Sequence, residues 1–283
     1  MKGIEIKSLT KDYSDLRALN NVSVTFADNK IYGLLGRNGA GKTTMLNCVT
    51  GRIFPSSGEI NVDGEPAIEN DKAQGKMFMM SEHNYFPEGM KVKDAMRWTG
   101  EFYQEFSKEY FMMLAEKFGL ATNRKIKKLS TGYGSIFKLI LTLSTNAPYL
   151  IFDEPVLGLD ANHRDMFYRA LLEKYNEKPF TAVISTHIIE EVATVIEEVV
   201  IIKKGQIIRN EPTEELLANG CSLSGSASAI DSFIEGKTVF GADTLGGFKT
   251  AYVMEAVNPT TLPPGVEMGK MDLQKLFIYM TNE

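Results

Sequence analysis

Apolar positions along the chain switch between two periods. Ile4, Ile6 and Leu9, in a stretch that alternates from Met1, and Val22, Val24 and Phe26 follow a strand spacing. Residues 31–35 and 149–152 are continuous apolar runs, as strands buried on both faces require. Residues 58–64 read as a strand ending in an Asp-Gly turn, and residues 76–80 as another, closed by Ser81-Glu82-His83-Asn84. From about Val92 to Ala147 the spacing becomes three and four: Ala95, Trp98, Phe102 and Phe106, then Phe111, Leu114, Ala115 and Phe118. These aromatic residues could form a ligand stripe, but helical core packing is the reading preferred here. Gly119 and Asn123 mark a break, and a further helix is expected over residues 136–144.

Phe167, Leu171 and Leu172 then fit a helix, residues 181–185 a buried strand, and Ile188, Val192 and Val195 another helix. A hairpin about Lys204-Gly205 joins residues 199–202 to 206–208. Strands and helices alternate, so the core is predicted to be α/β with a largely parallel sheet. Pro212 opens a short helix through Ala218. Residues 219–226, Asn-Gly-Cys-Ser-Leu-Ser-Gly-Ser, read as a small-residue linker. Beyond it, residues 237–240 and 249–257 look like strands, and Leu273, Leu276, Phe277 and Met280 make a closing amphipathic helix. The predicted organisation is a main domain over 1–212, with a helical subdomain at about 89–147, and an α+β appendage over 213–283.

Composition narrows the function. The 283 residues are 43% hydrophobic, enough for one large core and a smaller unit. A net charge of −5 argues against a general nucleic-acid binder. Two cysteines, Cys48 and Cys221, suggest no disulfide framework, and cytosolic residence is the plain expectation. The N-terminus lacks the apolar core of a signal peptide, and no run of about 18 uncharged apolar residues occurs, the length needed to cross a membrane as a helix.

The densest chemistry lies at Gly36-Arg37-Asn38-Gly39-Ala40-Gly41-Lys42-Thr43-Thr44, which fits G-x-x-x-x-G-K-[ST] between a predicted strand and helix. Backbone N–H groups in such a loop face a phosphate, and glycines allow close approach. Lys42 is expected to reach the β- and γ-phosphates of a nucleotide and Thr43 to ligate Mg²⁺. Asp153 and Glu154 end the apolar strand over residues 149–152; Asp153 can hold Mg²⁺ opposite Thr43, and Glu154 can polarise the attacking water. Leu129-Ser130-Thr131-Gly132-Tyr133 precedes a helix, where a hydroxyl and glycine N–H groups make an anion site.

Together these motifs resemble the nucleotide-binding subunit of an ABC transporter over about residues 1–212. The resemblance implies a P-loop NTPase fold: a RecA-like core with an antiparallel β subdomain, a helical subdomain and here a small C-terminal α+β appendage. It implies that Ser130 and Gly132 form the signature that meets ATP bound to the opposite subunit, and that Gly158-Leu159-Asp160 is the D-loop. His187 falls at the switch histidine that contacts the γ-phosphate, and Tyr13 at the aromatic that stacks on adenine. Thr131 stands where the signature usually has Gly, and Tyr133 where it has Gln. The Q-loop glutamine is absent: counting back from Phe86-Pro87 puts Ser81 in its place, with Glu82 beside it. Glu82 could reach the metal, Ser81 could act through a water, or the loop could be a mechanical link alone. The expected cofactors are ATP and Mg²⁺, cradled by Gly36, Asn38, Gly39, Ala40, Gly41, Lys42, Thr43 and Thr44. The expected partners are a second ATPase subunit, identical or related, and an ABC-2-type transmembrane subunit on the cytoplasmic face of the bacterial plasma membrane, with no nucleic acid. The linker, appendage and closing helix are similar to those of bacterial exporters, some of which move antimicrobial or amphipathic peptides such as phenol-soluble modulins. One rival is a soluble ABC-type ATPase acting on ribosomes or nucleic acid; one cassette and an acidic balance disfavour it. A second is an unrelated P-loop switch or kinase, which the signature before Asp153-Glu154 disfavours.

Overall fold

The computed structural model describes residues 2–87 and 89–282. Met1, which opens the first predicted strand and the first predicted domain, Glu88, and Glu283, which closes the second, lie outside the described residues.

The long hairpin of β1 (Gly3–Tyr13) and β2 (Leu16–Ala27) pairs with β4 (Ser57–Val62) and β5 (Glu65–Pro66) in an antiparallel sheet of order β2-β1-β4-β5. The central sheet has six strands: β3 (Ile31–Leu35), β6 (Met77–Met80), β7 (Tyr149–Asp153), β8 (Thr181–Thr186), β9 (Glu198–Lys203) and β10 (Gln206–Pro212). Their order is β10-β9-β3-β8-β7-β6, with only β10 antiparallel to its neighbour. The apolar runs of β3, β7 and β8 are continuous because both faces are covered. Alternate side chains go to opposite cores. Tyr32, Leu34, Ile151 and Val183 pack toward the antiparallel sheet and α1 (Lys42–Val49). Ile31, Leu35, Phe152 and Ile184 pack toward the helices on the other face. A short helix, α2 (Asp71–Gln74), precedes β6.

The helical subdomain comprises α3 (Val92–Phe102), α4 (Lys108–Lys117) and α5 (Thr131–Ser144). Phe111, Leu114, Ala115 and Phe118 are buried as expected. Two of the predicted core aromatics are not: Trp98 is 56% and Phe102 77% exposed. The buried face of α3 is instead Val92, Ala95, Met96 and Thr99, the i, i+3, i+4, i+7 stripe one position round the helix. After β7 comes α6 (Ala161–Glu177), and after β8 the single turn α7 (Ile189–Val192), shorter than the helix expected there.

After β10 comes α8 (Thr213–Ala218), whose Leu216 joins the main core. The stretch expected to be a linker is a strand, β11 (Cys221–Ser226), between β13 (Phe248–Val253) and β14 (Glu267–Lys270) in a sheet of order β12-β13-β11-β14. Its small residues answer to close packing. A Cβ on Gly225 would lie 2.8 Å from the Gly265 carbonyl oxygen, and one on Gly220 2.6 Å from Met271 Cε. Cys221 and Leu223 point into a small core while Ser222 and Ser224 bond outward, so the alternation was there, carried by serines. The connection from β11 through α9 (Ala227–Ile234) to β12 (Val239–Leu245) is a split βαβ unit, with β13 between the two strands. The closing helix, α10 (Leu273–Thr281), covers the other face, where Tyr252, Leu273, Leu276 and Phe277 join the main core. Asp243 on β12 fastens it, accepting hydrogen bonds from Lys275 and Tyr279.

Candidate functional site

The parallel strands β3, β8 and β7 end level with one another: Leu35 lies opposite Thr186, and Ser185 opposite Asp153. The loops leaving these ends therefore share one crevice at the carboxyl edge of the sheet, where open α/β sheets bind ligands.

The phosphate loop leaves β3 and enters α1. Gly39 (φ 80°) and Gly41 (φ 110°) adopt left-handed backbone, which glycine takes without a steric cost. A Cβ on Gly41 would lie 2.8 Å from the Ala18 carbonyl oxygen, and one on Gly36 2.8 Å from that of Ile202. Gly41 caps α1 with no side-chain hydrogen bond, so the first N–H groups of the helix remain for a ligand. Arg37 and Asn38 are exposed, Gly39 and Thr43 too, while Ala40 is buried and Thr44 half-buried. The Gly205 N–H donates to the Ala40 carbonyl (2.9 Å), tying the β9–β10 turn to the loop.

Lys42 is 5% exposed, and its ammonium donates to the Gly36 carbonyl at 2.6 Å. The same ammonium lies 3.3 Å from the carboxylate of Glu154. His187 Nδ1 lies 2.9 Å from both Glu154 oxygens, and the Thr186 hydroxyl donates to one of them at 3.4 Å. Three loops thus bring Lys42, Glu154 and His187 into one cluster. Glu154 holds a left-handed φ of 49°, unusual for a non-glycine residue, with its N–H bound to the Ser185 carbonyl at 2.9 Å. Such backbone costs about 1–3 kcal/mol and concentrates at functional sites.

Asp153 is buried, and burial pushes its carboxyl pKa up against the opposing hydrogen bonds from Thr43 and Ser185. The Ser185 hydroxyl donates to Asp153 Oδ1 at 2.9 Å. A carboxylate joined to a threonine hydroxyl at the mouth of a phosphate loop is a donor set that fits Mg²⁺, which takes one or two carboxylates, hydroxyls and phosphate oxygens rather than a cage of acids. Glu82 is exposed and lines, with Ser130, Lys138, Asp153 and Glu154, a cavity of about 320 Å³. Ser81 is buried and its hydroxyl donates to the His83 carbonyl at 3.2 Å. The carbonyls of Ser81 and Glu82 both accept from Lys138 Nζ, at 2.7 Å each.

The remaining predicted residues sit around this centre. Ser130 caps α5, its hydroxyl accepting from the Tyr133 N–H at 3.3 Å. Asp160 caps α6, accepting from the His163 N–H at 2.9 Å. Both are ordinary N-cap contacts. A Cβ on Gly132 would stand 3.1 Å from the Gly158 carbonyl oxygen, so the two loops are in contact. Tyr13 is 43% exposed at the end of β1, with the Lys11 ammonium 5.0 Å from its ring centre. Its cross-strand partner Leu16 is two residues, about 7 Å of strand, from the Ala18 that backs Gly41.

Sequence reasoning missed Ser185, Lys138 and Gly205 as supports. Lys138 had a signal: it is the one charge in the apolar run of α5, and burial lowers its pKa. It also missed a groove of about 760 Å³ beside the β6–α3 loop, lined by Arg52, Met79, Tyr85, Trp98, Phe102 and Tyr103.

The family model described as "ABC transporter" matches residues 19–157. The ABC transporter ATP-binding protein NatA of Bacillus subtilis is 30% identical over 211 residues, 71% of this chain and 84% of NatA. The chain belongs to the ATP-binding proteins of ABC transporters. ATPase activity is typical of that family. The cassette is also 30% identical over 189 residues to YtrB of Bacillus subtilis, and 28% identical over 250 residues to the ribose import ATP-binding protein RbsA of Lacticaseibacillus paracasei. It spans 65% of the length of YtrB and 49% of RbsA. An ATP-binding subunit of an ABC transporter has the same fold, with a TM-score of 0.69 at 21% identity over 77% of this chain and 92% of that one. So has the dimeric ABC transporter cassette MJ0796, with a TM-score of 0.66 at 21% identity over 74% of this chain and 98% of that one. Among the described residues no helix is long and apolar enough to cross a membrane.

Proposed function

We propose that this chain hydrolyses Mg-ATP as the motor subunit of a membrane exporter. The observation that carries the reading is the cluster of Lys42, Glu154 and His187 beside Asp153 and Thr43. Tyr13 stacks on adenine, and the loop from Gly36 to Thr44 binds the phosphates, with Lys42 the cation on them. Thr43 and Asp153, with Glu82 nearby, hold Mg²⁺, which supplies positive charge against the phosphate oxygens. Glu154 accepts the proton of the attacking water. His187 orients Glu154 and meets the γ-phosphate.

Two cassettes, identical or related, close around two ATP molecules, with Ser130, Gly132 and Asp160 of each facing the ATP of the other. The dimeric state of the MJ0796 cassette supports that arrangement. The aromatic groove at Trp98 and Phe102 receives the transmembrane subunit, which holds the pair at the cytoplasmic face of a bacterial plasma membrane. We read the transmembrane partner as ABC-2-type and its cargo as peptides, on the resemblance of the C-terminal segment to that of bacterial exporters. The test has two parts. Purified chain is assayed for Mg-dependent ATP hydrolysis, and its partners are identified by co-purification from detergent-solubilised membranes. Hydrolysis together with an apolar six-helix partner is the expected result; recovery with ribosomes alone would overturn the transport reading.

A further inference from the structure

The C-terminal unit reaches the nucleotide site through α10. The Arg37 guanidinium, in the phosphate loop, donates to Oδ1 of Asn282 at 3.1 Å. Lys203, at the end of β9, donates to the Met280 carbonyl at 3.3 Å and lies 3.5 Å from that of Asn282. These carbonyls belong to the C-terminal end of the helix, where backbone acceptors are left over and cations are favoured. On its other side α10 packs against α7, the turn that follows His187, with Leu276 and Phe277 in one core with Ile189 and Val192. A cavity of about 250 Å³ lies between, lined by Arg37, His187, Phe277, Ile278, Thr281 and Asn282. One helix therefore touches both the loop that carries Lys42 and the loop that carries His187.

We propose that α10 is a nucleotide-linked clamp that holds these two loops in register, with Arg37 and Asn282 as its positioning residues. The proposal rests on the reading of the site as an ATP site. Lys42 is bonded to Gly36 and paired with Glu154, and Glu154 is bonded to His187. A phosphate that takes the Lys42 ammonium redistributes those bonds, so both loops respond to it. A helix docked on both then binds differently in the two situations. Linkage is reciprocal: the factor by which ATP tightens the docking of α10 is the factor by which docked α10 tightens ATP.

Hydrogen exchange on the full chain tests this. Glu154→Gln is used to slow hydrolysis, with Mg-ATP as the ligand. Residues 31–49 report occupancy, residues 273–282 report the clamp, and residues 227–234, which pack on β11 and β13 in the small C-terminal core, serve as the control away from α10. Mg-ATP is expected to slow exchange in both 31–49 and 273–282 and to leave 227–234 unchanged. Adding Asn282→Ala should remove the protection of 273–282 and weaken ATP binding about two- to tenfold, the worth of one hydrogen bond. In the otherwise wild-type chain it should raise KM by that factor and leave kcat within twofold. Asn282→Asp keeps the acceptor and adds charge toward Arg37, and should restore tight binding. Unchanged exchange in 273–282 with 31–49 protected overturns the clamp. So does protection that survives Asn282→Ala, which would come from burial between subunits, and so does a fall in kcat at constant KM. No protection of 31–49 at saturating Mg-ATP would remove the ATP reading itself, and the clamp with it.

Discussion

At the scale of single residues, Glu154 carries the chemistry proposed for this site. Its carboxylate lies between a buried ammonium and an imidazole on a strained backbone, which fixes where its oxygens point. Glu154→Gln keeps the shape and removes the base. Steady-state hydrolysis is expected to fall about 10²-fold or more while ATP still binds, as the loss of a general base predicts. Turnover at the wild-type rate in a phosphate-release assay would withdraw that role. Asp153 makes a complementary case. Its carboxyl pKa is raised by burial, so the folded chain holds that proton more tightly than the unfolded chain does. The stabilisation this linkage gives is present below the unfolded value of 3.8 and is lost as pH rises through the raised value. At neutral pH the ionised group is a cost to the fold. Asp153→Asn should then raise the thermal midpoint while abolishing Mg-dependent hydrolysis. A lowered midpoint, measured by calorimetry without nucleotide, would show that the carboxylate stabilises the fold.

At the scale of elements, the loop between β6 and α3 has Ser81 and Glu82 where the resemblance leads one to expect a glutamine. Lys138 on α5 holds the Ser81 and Glu82 carbonyls, and Ser81 spends its hydroxyl on its own loop. Glu82 shares a cavity with Asp153. Glu82→Ala should therefore shift the Mg²⁺ dependence of hydrolysis to higher concentration, with Ser81→Ala nearly silent. An unaltered Mg²⁺ curve for Glu82→Ala leaves the loop a mechanical link. Elements also show what a sequence makes legible. The phosphate loop and the acids after β7 could be read directly, because their chemistry demands fixed residue types at fixed offsets from a strand. β11 could not, since serine and glycine carry little strand propensity and its burial depends on β13 and β14. Trp98 and Phe102 misled because a helical period identifies a stripe, not which neighbour covers it. Lys138 acts on a loop 56 residues away, and no local pattern announces such a bond.

At the scale of the whole molecule, the same cavity that holds Asp153 and Glu154 is also lined by Ser130, whose hydroxyl caps its own helix. The proposed dimer gives Ser130 a second use, on the ATP of the opposite subunit, and that use is separable from capping. Lys42→Ala removes the phosphate cation from a chain's own site, and Ser130→Arg blocks the signature that a chain offers to the site of its partner. Each variant alone should fail to dimerise with ATP. Mixed one to one, a homodimer places the defect of one chain and the defect of the other in the same site, leaving the second site intact. Sedimentation at saturating Mg-ATP should then show a dimer in the mixture and in wild type, and monomers in each variant alone. A mixture that stays monomeric while wild type dimerises would mean that Ser130 works only within its own chain. A wild-type chain that stays monomeric by itself points to a related subunit as its partner, and the same cross is then made between the two chains, with Lys42→Ala here and the signature serine replaced there.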